Sequence, residues 1–520
     1  MEAGLIINSN KTIVFFADHP WQTNMAIKLI GEINNLAPNH KCILILADFY
    51  SFLHDPIYVK SIKEDSKFEI LDFMDLYLRW QRMAVDHKHE NFLTYTDWVE
   101  NFSGTRNLIE VAFTNQLIYS WERSFSHIPI SDCCKWQFLS DMSYRIKFIF
   151  ESYQPNLIVS IERQSLPVNL AHALAEKNSI DWVTIIQSRI NSRYLAIDEF
   201  GLGMSKERYT SIINSTYSQD ATEQVENFIK RILEKRTGSY LTWSKNTFIQ
   251  NTDTSFSAGQ SYSRIRLFIL WLITEIKLIY SRHILHPKKM ILKPIIFQES
   301  TFRITILNLR IFMMRSLHLF GLYTRFHKKL PNCKYIYWPL HIRPEGSSNV
   351  LSLGQDELGL IRKFCEFLPP EIKLVVKENP FMFGQRQRNF YTILKSINKI
   401  YLVDPDFNSI NLILGASGVA GVSGTALLEG QLLNKPAIAF GKPEFIEFLE
   451  FKGWEDIDKF FCAAQENKSS DNTLVKKYIA YIFENSSKND IAEFGDLSSK
   501  GASEMIIRFA EKIVTKLKTN

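Results

Sequence analysis

Between Lys334 and Phe440 short apolar runs alternate with helix-length segments. The runs are Tyr335–Trp338, Lys373–Lys377, Ile400–Val403, Gly418–Val422 and Ala437–Phe440. Helical patterns fill the spaces near 355–367, 386–397 and 409–414, and a fourth helix opens at Ser423-Gly424-Thr425. Strands this short and apolar, joined by whole helices, suit a parallel sheet buried on both faces. On such a sheet, ligands bind beyond the carboxyl ends of the strands. The loops Leu340–Ser348, Lys377–Pro380, Val403–Phe407 and Ser423–Glu429 occupy those ends.

The last of these loops carries the sharpest signal. A turn of Ser423, Gly424 and Thr425 puts no bulk before the first N–H groups of the following helix. Those N–H groups and the helix dipole favour an anion, most often a phosphate. Glu429 lies one turn on, on the same side as Thr425, where it can accept from sugar hydroxyls such as those of a ribose. That reading is a nucleotide-sugar site. A helix start capped by Ser or Thr fits the stretch equally well.

The amino-terminal half begins the same pattern. Thr12–Ala17 is an apolar run, followed by Asp18-His19-Pro20, a helix over about 24–36 and a second run at Cys42–Ala47. Residues 67–150 read as mainly helical. Leu157–Ile161 and Trp182–Ile186 are further strands, with a helix over about 168–177 between them. Asp18, His19, Glu162, Arg163 and Arg189 fall at the strand ends. At 520 residues the chain is too long for one ordinary core. The expected fold is α/β and GT-B-like, with two Rossmann-like doubly wound domains facing a cleft and a basic apolar helical segment between them. The expected divisions are an acceptor domain over 1–202, a helical insert over 203–330, a nucleotide-sugar domain over 331–445 and carboxyl-terminal helices over 446–520.

Charge is uneven. Residues 264–330 hold 13 Lys and Arg against Glu275 and Glu299, a net 13 − 2 = +11. The whole chain carries +6, so the remainder carries 6 − 11 = −5. In this segment charges break every apolar run before the ~20 residues that a membrane span needs. Helices lying in the interface of an anionic inner-membrane surface fit it; buried interdomain helices with basic outer faces fit it too. The segment is aliphatic and lacks a nucleic-acid motif, so no nucleic acid is expected. The six cysteines form no CxxC pair, and no His/Cys cluster has zinc spacing. No signal peptide is evident. A cytoplasmic protein, peripheral on the inner face of the membrane, is expected.

In a GT-B arrangement the second domain holds the nucleotide and the first the acceptor. Arg343 and Lys377 can neutralise a phosphate leaving group, although each alone could be a surface charge. An inverting transfer needs a base. Glu162 leads, ahead of Asp18, with His19 and Glu345 also candidates. Glu162 could instead pair with Arg163 or Arg189, and His19 could be bonded to backbone. Asp404-Pro-Asp406 reads as a turn rather than a metal site, and His87-Lys-His89-Glu90 as a solvated helix face. No metal or other cofactor is expected.

Three stretches resemble the bacterial capsule polysaccharide biosynthesis family: Tyr337–Ser347, Val376–Pro380 and Ser423–Glu429. The likeness is best over about 334–445, weaker over 155–200, where Glu162 and Gln187–Arg193 match a family pattern. The family includes Kdo transferases that use a CMP-activated sugar at the inner face of the cytoplasmic membrane. Members commonly read Lys-Glu-His-Pro where this chain has Lys377-Glu378-Asn379-Pro380. In CMP-sugar enzymes that histidine contacts the donor phosphate. An asparagine can donate a neutral hydrogen bond there but carries no charge.

The resemblance implies a glycosyltransferase with a nucleotide-sugar donor, a CMP-sugar among the candidates, and a polysaccharide or lipid-linked acceptor. It implies donor contacts from Arg343, Glu345, Lys377, Asn379, Ser423, Gly424, Thr425 and Glu429, and acceptor contacts from Arg163 and Arg189. A sugar-nucleotide epimerase of the same fold and a non-catalytic partner in polysaccharide assembly or export are the alternatives.

Overall fold

The computed structural model describes residues 10–18, 20–47, 56–73, 76, 132–162, 165–188, 190, 193–198, 204–236, 269, 273, 276, 309–311, 313–314, 317–318, 326–342, 356–384, 386, 389–486 and 500–518. His19, Arg163, Arg189, Arg343 and Glu345 lie outside them, as do His87–Glu90 and most of 264–330.

The first sheet is built from β1 (Thr12–Ala17), β2 (Lys41–Leu46), β3 (Glu69–Asp72), β4 (Leu157–Ile161), β5 (Asp181–Gln187) and β6 (Tyr194–Ile197). Its order is β3-β2-β1-β4-β5-β6, parallel except for the antiparallel β5–β6 pair. Alternate residues of each strand bury opposite faces, as the period-2 geometry requires. Val14, Phe16, Ile43 and Ile45 pack on one side with α3 (Asp132–Tyr153) and α4 (Leu166–Lys177). Ile13, Phe15, Cys42 and Leu44 pack on the other, against α1 (Pro20–Leu36), with Ile62 of α2 (Pro56–Asp65) beside them. That second face is completed from a great distance in sequence. The helix Lys500–Lys518 contributes Ala502, Met505, Phe509, Ile513 and Leu517 to the same cluster. Lys11 Nζ donates to Leu517 O at 2.5 Å.

The second sheet contains β7 (Tyr335–Pro339), β8 (Lys373–Lys377), β9 (Ile400–Val403), β10 (Gly418–Gly421), β11 (Ala437–Ala439) and β12 (Phe451–Lys452), in the order β12-β11-β10-β7-β8-β9. Every pairing in it is parallel. Counted from its own first strand, this is again the order 3-2-1-4-5-6. Tyr335, Tyr337, Val375 and Val419 face one cluster; Ile336, Trp338, Leu374 and Val376 face the other. The expected pair of Rossmann-like doubly wound domains is therefore present.

Three strands depart from the sequence reading. β3 lies in the stretch read as mainly helical, and β6 and β12 were not expected. All three are edge strands of two to four residues, and β3 is only partly buried. β3 and β12 lack the continuous apolar run that marks an inner parallel strand; β6 is apolar and buried, but four residues long and antiparallel to its neighbour.

The two sheets share a hydrophobic cluster. Ile186, Leu195 and Ile197 join residues of helix Gln219–Lys235, helix Thr473–Asn485 and the second sheet. Arg193, at the head of β6, is buried. Its guanidinium donates to Ser486 Oγ and Gln224 Oε1, both at 3.1 Å, and lies 4.7 Å from the Phe483 ring centre. Among the described residues, Cys42, Cys333, Cys365 and Cys462 are free thiols.

Candidate functional site

A Rossmann-type sheet opens a crevice where its strand order reverses. In the second sheet that point lies between β7 and β10. Beyond β7 the chain reaches His341; beyond β10 it reaches Ser423 and Gly424. The two ends meet. Ser423 N donates to His341 Nε2 at 3.3 Å, so this imidazole nitrogen acts as an acceptor. A Cβ on Gly424 would stand 3.3 Å from His341 Cε1. Glycine is thus what lets the imidazole lie against the turn. Gly424 is the N-cap of the helix Thr425–Leu432 and supplies no side-chain cap, and the first turn holds no acidic residue. The end of this helix is electropositive.

His341 is held by its backbone as well as by its ring. Its N–H donates to Glu357 Oε1 at 3.0 Å, and its carbonyl accepts from Arg386 Nη2 at 2.6 Å. Arg386 in turn grips Glu378 with Nε to Oε2 at 2.8 Å and Nη2 to Oε1 at 3.0 Å. Tyr391 donates its hydroxyl to Glu378 Oε2 at 2.8 Å, and Asn379 N donates to Glu378 Oε1 at 2.8 Å. Glu357 Oε2 lies 3.8 Å from Arg386 Nη1. Burial works against the charge on Arg386, but Glu378 and then Glu357 outweigh it and raise its pKa. Glu357, Glu378 and Arg386 are all buried. Such a network is costly to desolvate and holds only when its hydrogen bonds are made.

A second polar group lies on the other side of the sheet. Lys377 is buried, and its Nζ donates to Ser409 Oγ at 3.0 Å. Tyr337 Oη donates to the same Oγ at 3.5 Å. Burial first, and the nearby Glu429 carboxylate as well, raise the Tyr337 pKa. Glu429 itself is buried on the helix Thr425–Leu432. Gly430 follows it because a Cβ there would meet Val419 Cγ2 at 2.8 Å; helix and strand touch at that point.

The expected donor residues therefore fall into separate places. Ser423 and Gly424 lie at the switch point, with Thr425 opening the helix. Lys377 and Glu429 belong to the Ser409 group, and Asn379 leads away from Glu378. The sequence reading passed over Glu357, Arg386 and Tyr391. Arg386 and Glu378 are eight residues apart, on either side of Phe381, Met382 and Phe383, and no periodic pattern marks them as partners.

In the first sheet the switch point lies between β1 and β4. Asp18 and Glu162 flank it. Asp18 is buried; its Oδ1 accepts from Ser165 Oγ at 2.7 Å, and its N–H donates to Gln22 Oε1 at 2.5 Å. Ser165 also caps α4. Glu162 has φ 63°, a left-handed conformation uncommon for such a residue. Its Oε1 accepts from Gln187 N at 2.7 Å. Non-glycine residues held this way concentrate at functional sites.

One further group gathers three possible cation ligands among the described residues: His318, Asp404 and Asp406. The Asp404-Pro-Asp406 turn forms, with Asp406 N donating to Asp404 Oδ1 at 3.0 Å. His318 Nε2 stands 3.3 Å from Asp404 Oδ1 and 3.4 Å from Asp406 Oδ2. Burial opposes a proton on His318, but hydrogen bonds to Asp404 and Asp406 outweigh it and push its pKa up to about 9.

No protein-family model matches the sequence, and no curated protein matches it. Solved structures give weak likenesses. The chain is similar to the KpsC β-Kdo 2,4-transferase of Thermosulfurimonas dismutans, at 11% identity over 65% of this chain and 85% of that one, TM-score 0.34. It is similar to a UDP-GlcNAc 2-epimerase of Neisseria meningitidis bound to UDP-GlcNAc, at 12% identity over 98% and 100%, TM-score 0.27. A glycosyltransferase of Rickettsia africae matches at 10% identity over 98% and 100%, TM-score 0.24. Likenesses of this strength carry no argument about activity; the fold rests on the two strand orders.

Proposed function

We propose that the chain is a glycosyltransferase that moves a sugar from a nucleotide-activated donor to a growing surface polysaccharide or its lipid-linked acceptor. It would work at the inner face of the cytoplasmic membrane. The observation that carries the reading is the meeting of His341 with Ser423 and Gly424 at the second sheet's switch point. There an electropositive helix end faces an imidazole whose backbone is fixed at both N–H and C=O. A donor phosphate suits that place. In this reading Glu429 and Lys377, on the adjacent helix and strand, orient the nucleoside and steady the leaving group. Across the molecule, Glu162 is the favoured base, its left-handed backbone and bond to Gln187 N holding the carboxylate at a strand end. Asp18, tied to Ser165 and Gln22, suits a supporting role better. In this reading Arg163 and Arg189 contact the acceptor, while Arg343 and Glu345 contact the donor.

The test is thermal stabilisation of the purified chain by CMP, UDP, GDP, ADP and TDP. A ligand that binds only the folded state must raise its apparent stability. A selective shift with one nucleotide, lost in Glu429→Gln, is expected. Release of that nucleotide only when an acceptor is present would separate transfer from epimerisation. A folded protein that no nucleotide stabilises would sink the donor site.

A further inference from the structure

The basic segment leaves two apolar stripes on the surface. Ile269, Ile273 and Ile276 are helical and 47%, 43% and 56% exposed. Leu309, Met313 and Leu317 are helical and 55%, 55% and 40% exposed. The spacings i, i+4, i+7 and i, i+4, i+8 put each trio along one side of its helix. These are large apolar side chains facing water.

The opposite side of the second helix is fastened to the second sheet. Arg310, Met314 and His318 each follow an outward residue by one position, about 100° further round the helix, and Ile311 follows Leu309 by two. Arg310 Nη2 donates to Arg386 O at 3.3 Å. Ile311 runs so close to Gly384 that a Cβ there would meet Ile311 Cα at 3.4 Å. Met314 packs on the core that holds Trp338 and Val376. His318 sits between Asp404 and Asp406, its ring 5.0 Å from Phe383 and 6.0 Å from Phe326. The exposed side is therefore a fixed feature of the second domain's surface.

We propose that Leu309, Met313 and Leu317, with Ile269, Ile273 and Ile276, form an interfacial anchor that inserts into an anionic lipid surface and orients the second sheet on it. This deepens the reading above and rests on it for the setting. Charge selects the occupant. The segment bearing both stripes carries 13 − 2 = +11. A second copy meeting it through the same segment would bring net positive charge to net positive charge. Anionic headgroups instead supply the opposite charge beside an apolar layer, the combination that interfacial helices use. In the sequence, charges break every apolar run of the segment short of the ~20 residues that a span needs, which suits an anchor lying in the surface.

The experiment is flotation of the full chain with vesicles of phosphatidylcholine alone and of phosphatidylcholine with phosphatidylglycerol. Wild type is expected to float with the anionic vesicles and to release partly as salt rises. The variant Leu309→Gln/Met313→Gln/Leu317→Gln changes only exposed positions, and circular dichroism would verify its fold. It is expected to bind at least about tenfold more weakly. The companion variant Ile269→Gln/Ile273→Gln/Ile276→Gln is expected to weaken binding in the same direction. Unchanged flotation of the first variant overturns the anchor. So does a wild-type dimer in ultracentrifugation that the same substitutions dissociate. Nucleotide-induced stabilisation of the variant separates the two proposals: it persists if only the anchor is lost, whatever the vesicles show.

Discussion

The two sheets have the same strand order and different edges. At the switch point of the first, Asp18 and Glu162 are each held by a few short-range bonds to Ser165, Gln22 and Gln187 N. At that of the second, three buried charged side chains and a tyrosine lock one another and His341 in place. Topology is common to both, so it does not determine what either does. Among the described residues the difference lies in what fixes each strand end: bonds to neutral groups at Asp18 and Glu162, a buried charge network at His341. A site that must place a phosphate to within a fraction of an ångström gains from preorganisation.

The largest expected effect tests that contrast directly. Arg386→Met leaves Glu357 and Glu378 buried without their cation and should cost about 3–5 kcal/mol in chemical denaturation. A loss below about 1 kcal/mol would mean the network is not what fixes this edge. Next comes Gly430→Ala, whose new Cβ meets a branched methyl of the fully buried Val419. It should cost about 1–3 kcal/mol, because Val419 has little room to yield. Full stability in that variant would show the helix free to shift on the strand.

The histidines sharpen the comparison by sign. Burial lowers the pKa of His172, in the first domain, to about 4, so it folds neutral. Its contribution is complete above its ordinary pKa and is lost as pH falls from there through about 4. His318, against the second sheet, folds charged. Its contribution is complete below its ordinary pKa and is lost as pH rises through about 9. Each should be worth at most about 3 kcal/mol. Denaturation midpoints measured against pH should show His172→Phe flattening the acid limb and His318→Gln the alkaline limb. The reverse assignment would refute both. The smallest effect is expected from Ser165→Ala, which removes a cap from α4 and a donor from Asp18. It should cost about 1 kcal/mol and leave nucleotide binding in the second domain unchanged.

Much of the fold was legible because inner parallel strands announce themselves. Thr12–Ala17, Leu157–Ile161 and Lys373–Lys377 have the ends that their apolar runs suggest. The edge Glu69–Asp72 was not legible, since its two apolar residues lie between two carboxylates and none of the four is fully buried. The candidate site was legible in part. Ser423, Gly424 and Glu429 are marked by a local turn and a helical spacing. Glu357, Arg386 and His341 come together only through tertiary contacts, which no local pattern encodes. The chain's Asn379 was read as a missing imidazole. In the fold, a different one, His341, stands at the neighbouring strand end against Ser423 N.

The helix Lys500–Lys518 closes a face of the first sheet whose strands begin at Thr12. During synthesis that face has only α1 and Ile62 of α2 as its helical cover until the chain has been made through Lys518. The second sheet draws its two faces mainly from residues 326–483. The domain translated first should therefore be the one completed last. In the interval the apolar face of Ile13, Phe15 and Leu44 is incompletely covered, the kind of surface that chaperones engage and that aggregates when they are scarce.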